Sequence, residues 1–424
     1  MFGRCNQSGS KPTTSVRRRV PGVVGCLIAL TTCLGGVLIA GVVGTVAPAG
    51  AANPAPVLWE TDYGASSVSS FPASASGNVA PTTVNTNTTM NSPGASVFDA
   101  QGDLWVASYS ASPPNIAEFT QSELATNGAP SVVISTPSLQ PNGVAFDRAG
   151  DLWVGSFNGH PLVEFTRDQL TSSGSPTPAV SLMVGSNSWG LTFDASGDLW
   201  LGGYGDGAVK EYTPAQLMTS GTPTPAVTLT GLSGPTFPTF DAHGNLWVSD
   251  YNGSTVNKYT AAQFAASGSP TPSVVISSGS FGSPVGMDFD AAGNLWVADY
   301  GAAGVFEFTP SQQSATGSYT PAVILQGSNT GFIDGADVYV AEAPVVSSVS
   351  PAAGGAGTTV TITGTGFLSG SSVSFGSVPA TSVTYVTPYE LQAVAPANVG
   401  AVDVTVSTFG GTSATSSADL FTYT

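Results

Sequence analysis

Short β-branched and aromatic runs, punctuated by Gly, Pro, Asn and Asp, recur along nearly the whole chain, a pattern that predicts many strands joined by turns. The pattern is periodic. "FDAQGDLWVASY", "FDRAGDLWVGSF", "FDASGDLWLGGY", "FDAHGNLWVSDY" and "FDAAGNLWVADY" begin at Phe98, Phe146, Phe193, Phe240 and Phe289, spaced by 48, 47, 47 and 49 residues. Each continues into "AEFT", "VEFT", "KEYT", "NKYT" or "FEFT", then a linker such as "PAQLMTSGTPT", then a β-branched run such as "PSVVIS" or "PAVILQ".

Four short strands per unit of about 47 residues is the size of a β-propeller blade. The ends of the periodic region supply a further blade. "VLWETDYGASSVSSF" carries a sixth Leu-Trp strand, with Trp59 46 residues before Trp105, but no strand of the "FD" kind precedes it. "GADVYVAE" from Gly335 lies 12 residues after Val323, as Gly286 lies 12 after Val274, and is a first strand lacking its second. The strand at about Gly335 to Glu342 is therefore expected beside Leu58 to Tyr63, closing a six-bladed ring with no free sheet edge.

The phrase "GMDFDAAGNLWVADY", followed by "VFEF", resembles the NHL repeat and, more loosely, the six-bladed gluconolactonase and senescence-marker-protein propellers. The resemblance runs from residue 55 to 342. It implies a fold rather than an activity, because propellers host lyases, lactonases and many pure binders. After Ala343 the period stops. "APVVSSVSPAAGGAGTTVTITGTGF" and the Val/Thr-rich strands that follow indicate a small β-sandwich, and their spacing resembles an IPT/TIG immunoglobulin-like domain. The expected fold is thus all-β, with a six-bladed propeller over 53–342 and a sandwich over 343–424. Such sandwich domains usually bind, space or dimerise, and the only carboxylates in this one are Glu390, Asp403 and Asp419.

Residues 1–52 read as a targeting segment. Arg17, Arg18 and Arg19 precede the uncharged apolar stretch Val20 to Val46, and "APAGAANPAP" offers a small-residue cleavage site after Ala51 or Ala52. The stretch is long for a signal peptide, so an uncleaved anchor is the alternative. Either way the remainder is exported, and the chain meets membrane only through this segment. Cys5, Cys26 and Cys33 all lie in the leader, which leaves the exported part without a disulfide framework or thiol chemistry. Beyond it, Arg148, Arg167, Lys210 and Lys258 face 26 acids, a net charge of −22 that excludes nucleic acid as a partner.

A Trp at one fixed blade position is most simply inter-blade core, and the Asp that opens each "DxxG[DN]" fits a turn in which its carboxylate binds backbone amides. Nucleophile elbow, phosphate loop and HExxH are absent. In an up-and-down blade the "DAAGN" hairpins and the linkers share one rim, so a ligand site belongs on the other, variable rim. That rim carries His160 in "SFNGHP", Asp206 in "GYGDGA", and loops containing Asn142, Trp189, Phe237 and Phe281. Trp189 is the Trp outside the repeated position and the best ligand-stacking candidate.

One asymmetry is acidic. The position before the strand-ending aromatic is Ser108, Ser156 and Gly203 in blades two to four but Asp250, Asp299 and Asp62 in blades five, six and one. Aligned within the first strand, Ser96, Ala145, Thr192 and Thr239 give way to Asp288 and Asp337. Five carboxylates converging on one funnel sector would need neutralising, so Ca²⁺ held by Asp62, Asp250, Asp288, Asp299 and Asp337 is one expectation. Resemblance to the gluconolactonase family, whose funnel holds a metal through acidic and amide side chains, supports it without a residue-by-residue match. The alternative is that these side chains cap strand-end amides. The leading functional expectation is an exported, non-catalytic binder of an extracellular protein or glycan. Its rivals are a metal-dependent hydrolase or lyase and a structural envelope protein.

Overall fold

The computed structural model describes residues 57–424 apart from 73–80, 100, 158, 186, 291, 326–338, 341–342, 369–370, 388 and 409–410. The expected leader and Asp337 therefore lie outside the described residues. Among those described, no helix is long and apolar enough to cross a membrane.

The repeat folds as read. Five antiparallel sheets have as first strands Pro93–Phe98, Pro141–Phe146, Ser188–Phe193, Pro235–Phe240 and Pro284–Phe289, each followed in order by three further strands. A sixth sheet joins Val57–Asp62, Ser67–Pro72 and Thr83–Asn85 to Tyr339–Val340, with Leu58 opposite Val340 and Trp59 opposite Tyr339. The two ends of the repeat region thus share a blade. First strands of successive blades contact one another from Pro93–Phe98 through Pro284–Phe289, lining a central channel.

The second strands, Leu104–Ser108 and its equivalents, are buried along their whole length because a blade packs on neighbours through both faces. Trp105, Trp153, Trp200, Trp247 and Trp296 are at most 2 % exposed. Each such ring buries a large apolar area between neighbouring blades.

Two features were not legible as structure in the sequence. The linker after the third strand opens with a capped helical turn, in which Gln169, Gln216, Gln263 and Gln312 each accept the backbone N–H of the Thr three residues earlier at 2.8–2.9 Å. The linker then runs back to the previous blade. Gly174, Gly221, Gly268 and Gly317 bridge in parallel to Ile134, Leu182, Leu229 and Ile276, so the outer strands of blades two to five have their edges covered by the following blade.

Residues 345–423 form two facing sheets around Val360, Ile362, Phe367, Phe375, Leu391, Val404 and Phe421. The described residues belong to one compact unit, in which this sandwich sits against the propeller.

Candidate functional site

The hairpin rim is built by one repeated device. Asp99 Oδ1 accepts the N–H groups of Gln101 and Asp103, both at 2.9 Å, and its Oδ2 accepts the Trp105 indole N–H at 3.0 Å. Asp147, Asp194, Asp241 and Asp290 hold Trp153, Trp200, Trp247 and Trp296 in the same way at 3.0–3.3 Å. Each turn closes on a glycine in the left-handed region, such as Gly102 at φ 83°. These Asp and Trp residues are scaffold: the carboxylate satisfies both the turn and the buried indole.

Beside each Trp, the third strand places a charged side chain. Burial, then the carboxylates of the hairpin, push Glu118, Glu164 and Glu211 up to about 7. Asp99, Asp103 and Glu118, and likewise Asp147, Asp151 and Glu164, gather their oxygens within 4.8 Å, and among the described residues these are the groups that could hold a metal ion. The fifth blade replaces the glutamate with Lys258, whose ammonium lies 3.3 Å from Asp241 and 5.0 Å from the centre of the Trp247 ring.

The immunoglobulin-like domain covers the mouth on this rim. Arg148 donates to the carbonyls of Val386, at 3.2 Å, and Ala195, and the Tyr389 hydroxyl donates to the Phe240 carbonyl at 3.1 Å. Under it lies a cavity of about 230 Å³ lined by the ends of the first strands and by Phe367, Leu368, Tyr385 and Tyr389. Asp288 faces this cavity. Burial pushes its carboxyl up to about 7, although Phe289 N–H donates to Oδ1 at 2.7 Å.

The opposite rim is aromatic. Each second strand runs into a half-buried ring: Tyr63, Tyr109, Phe157, Tyr204, Tyr251 and Tyr300. Tyr63 stacks on Tyr109 at 6.0 Å, and Tyr109 meets Phe157 edge-on at 5.3 Å. Trp189 then joins the two halves of the belt. It contacts Phe157 at 5.5 Å, stacks on Tyr204 at 4.7 Å with an interplanar angle of 6°, and meets Tyr251 at 5.3 Å. Tyr251 reaches Tyr300 at 6.0 Å. The Trp189 indole N–H is buried among these rings with no acceptor.

A β-bulge in each first strand of blades two to six puts these side chains where they are. Asn142, Trp189 and Phe237 were expected in inter-blade loops but belong to first strands, at or next to the bulge. Trp189 alone of the three reaches the aromatic belt. Asn142 is buried and donates to the Trp189 carbonyl at 3.4 Å, while Phe237 is core and lines the cavity. His160 sits half-buried in the turn closed by its N–H to the Phe157 carbonyl. Asp206 is exposed and ion-paired with Lys210.

The acidic sector is not one cluster. Asp62, Asp250 and Asp299 end their second strands on the aromatic rim, whereas Asp288 lies opposite Trp296, three residues along from Asp299 and facing the other mouth, about 10 Å away at the rise of a strand. Asp250 accepts N–H groups from Ser233, Gly234 and Gly253 at 2.7–3.1 Å, and Asp299 from Gly282, Ser283 and Ala302 at 2.7–3.0 Å. Asp62 accepts that of Ala65 at 2.8 Å. The amide-capping role is thus visible in all three. Burial raises Asp299, with the amide donors opposing it. The first-strand alignment also needs correction: the residue opposite Trp105 is Val97, not Ser96, so the series reads Val97, Ala145, Thr192, Thr239 and Asp288.

Sequence reasoning assigned the strand-end aromatics no role. Their signal was there: a residue type suited to the core, placed where each strand leaves the sheet.

No curated protein matches the chain. Among solved structures it is similar to virginiamycin B lyase from Staphylococcus aureus, at 17 % identity over 60 % of this chain and 78 % of that one, with a TM-score of 0.42. It is similar to a nidogen/laminin complex chain at 14 % over 66 % and 96 %, TM-score 0.49, and to a protein from Bacteroides caccae at 8 % over 64 % and 94 %, TM-score 0.47. Residues 344–423 match the IPT/TIG domain family. The chain is a β-propeller followed by an immunoglobulin-like IPT/TIG domain.

Proposed function

We propose that this is an exported, non-catalytic binding protein whose aromatic rim holds an extracellular polysaccharide, the IPT/TIG domain closing the opposite rim. A propeller joined to such a domain fits a binding or adaptor role. The observation that carries the reading is the continuous belt from Tyr63 to Tyr300 with Trp189 within it. Rings of this kind offer broad, rigid, amphipathic faces to the C–H faces of sugars, and tyrosine hydroxyls supply the polar edge. The nearby carboxylates Asp250 and Asp299 are engaged with backbone amides, which favours recognition over acid–base work at this rim. Export is the reading of the arginine-flanked leader.

A glycan array and sedimentation with insoluble polysaccharides test it. Wild type should bind, and Trp189→Ala or Tyr251→Ala should weaken binding at least about tenfold, a loss on the order of one stacked ring. No retention on any polysaccharide, or undiminished binding by both variants, would overturn it.

A further inference from the structure

The cavity beneath the IPT/TIG domain differs in chemistry from the aromatic rim. Several blades contribute apolar side chains to its walls, Phe146, Phe193, Phe237, Met287 and Phe289, with Ser96, Thr192 and Thr239 beside them. The domain contributes Phe367 and the rings of Tyr385 and Tyr389. Into this chamber faces the carboxylate of Asp288, with the Phe289 amide on one oxygen.

Its charge is met by no lysine in the lining. The lining guanidinium, Arg148, is turned onto the carbonyls of Ala195 and Val386, and the second carboxylate, Asp290, is held by Asn294 and Trp296. A neighbouring groove shares Phe146, Arg148 and Tyr385 with the cavity and adds Asp99, Asp103 and Glu118, against Arg167. The surroundings are thus net negative.

That combination selects a ligand class. An anion is repelled by Asp288. A divalent metal ion requires six or more oxygens with several carboxylates among them, and Asp288 belongs to neither of the acidic groups that, among the described residues, gather closely enough to hold one. A compact organic cation is served on both counts, by one desolvated carboxylate and by aromatic faces on which a positive charge is stabilised. We propose that this cavity binds a small organic ammonium ion, its apolar body against the phenylalanines and its charge between the Asp288 carboxylate and the rings of Tyr385 and Tyr389.

Titration calorimetry on the chain beyond the leader, with benzyltrimethylammonium, benzyl alcohol and benzoate as probes, decides it. The cation should bind at least about tenfold more tightly than the alcohol, and benzoate should give no heat. Asp288→Asn should lower affinity for the cation at least about tenfold, and Tyr385→Leu, on the other side of the cavity, should weaken it too, which keeps the test available if the first variant folds poorly. Trp189→Ala should leave it unchanged, separating this site from the polysaccharide rim. Equal binding of cation and alcohol, full affinity in Asp288→Asn and Tyr385→Leu, or no heat with wild type would overturn the proposal.

Discussion

The two rims of the propeller are made by the same repeating unit, yet they obey different rules. On the hairpin rim, Asp, Gly and Trp recur because one carboxylate must satisfy a turn and a buried indole in each of blades two to six. On the opposite rim the loops vary, and what recurs is a half-exposed aromatic at the end of each second strand. Repetition alone therefore does not mark scaffold. A repeated residue is scaffold when its polar atoms are satisfied inside the blade, and a surface when its ring remains accessible.

The most damaging way to break this contrast lies where the aromatic-rim ends of the blades approach one another. A Cβ on Gly202 would come 1.8 Å from the Thr236 carbonyl oxygen, whereas one on Gly221 meets nothing within 4 Å. Gly202→Ala should cost about 3 kcal/mol or more in urea unfolding and Gly221→Ala no more than about 0.5 kcal/mol. Trp189→Ala should follow at about 2–3 kcal/mol, since it removes three ring contacts while leaving the belt on either side.

Glu60 sharpens the comparison from inside a blade. It occupies the position of Val106, Val154, Leu201, Val248 and Val297, is buried, and has an oxygen without a hydrogen-bond partner. Burial, then Asp62, push it up to about 8. Glu60→Val should raise the melting temperature, by the equivalent of about 1–2 kcal/mol, because it removes an unsatisfied group and restores the apolar core. A drop in stability would mean that a break in the repeat can be required by the fold itself.

Tyr389→Phe tests the covered rim. Loss of its bond to the Phe240 carbonyl should cost about 1 kcal/mol and speed hydrogen exchange in Ser382–Thr387 and Glu390–Val394, leaving polysaccharide binding unchanged.

The smallest effect is the pH dependence. Glu118, Glu164 and Glu211 are raised from 4.5 to about 7, so the folded state holds protons that the unfolded chain has released. Their contribution is present below 4.5 and lost as pH rises through 7, so stability should increase between pH 8 and pH 5. Partial exposure to solvent screens the effect of each glutamate. Asp241 acts in a different window: burial raises it, but Trp247, Asn245 and Lys258 outweigh that and hold it low, so its contribution is lost only below pH 3.8. Denaturant midpoints that fall on acidification would contradict the assignment of these glutamates.

Much of the scaffold was readable because its causes are local. The "DxxG[DN]LW" phrase encodes its own turn, its glycine and the indole acceptor within six residues, and Leu58 to Tyr63 and the strand near Gly335 announced each other by what each lacked. The Asp at 62, 250 and 299 was recognisable as either ligand or amide cap, and the amides it meets are set by the tertiary fold. Trp189 stood out as the Trp outside the repeated position, but its place in a strand was not visible, because a bulge adds one residue without changing the spacing of the surrounding phrase.

Sequence by itself determined the repeat, the strand and turn chemistry within each unit, and the change of domain near residue 343, since these follow from side chains interacting within a few positions of one another. The tertiary structure decided the rest. It showed Gly174 and its equivalents covering the preceding blade, and the IPT/TIG domain occupying the hairpin mouth above Asp288. It also drew aromatics from separate blades into one surface. Each of these joins residues tens to hundreds of positions apart, as Arg148 and Val386 are, and no local period can encode which blade, or which domain, a side chain will meet.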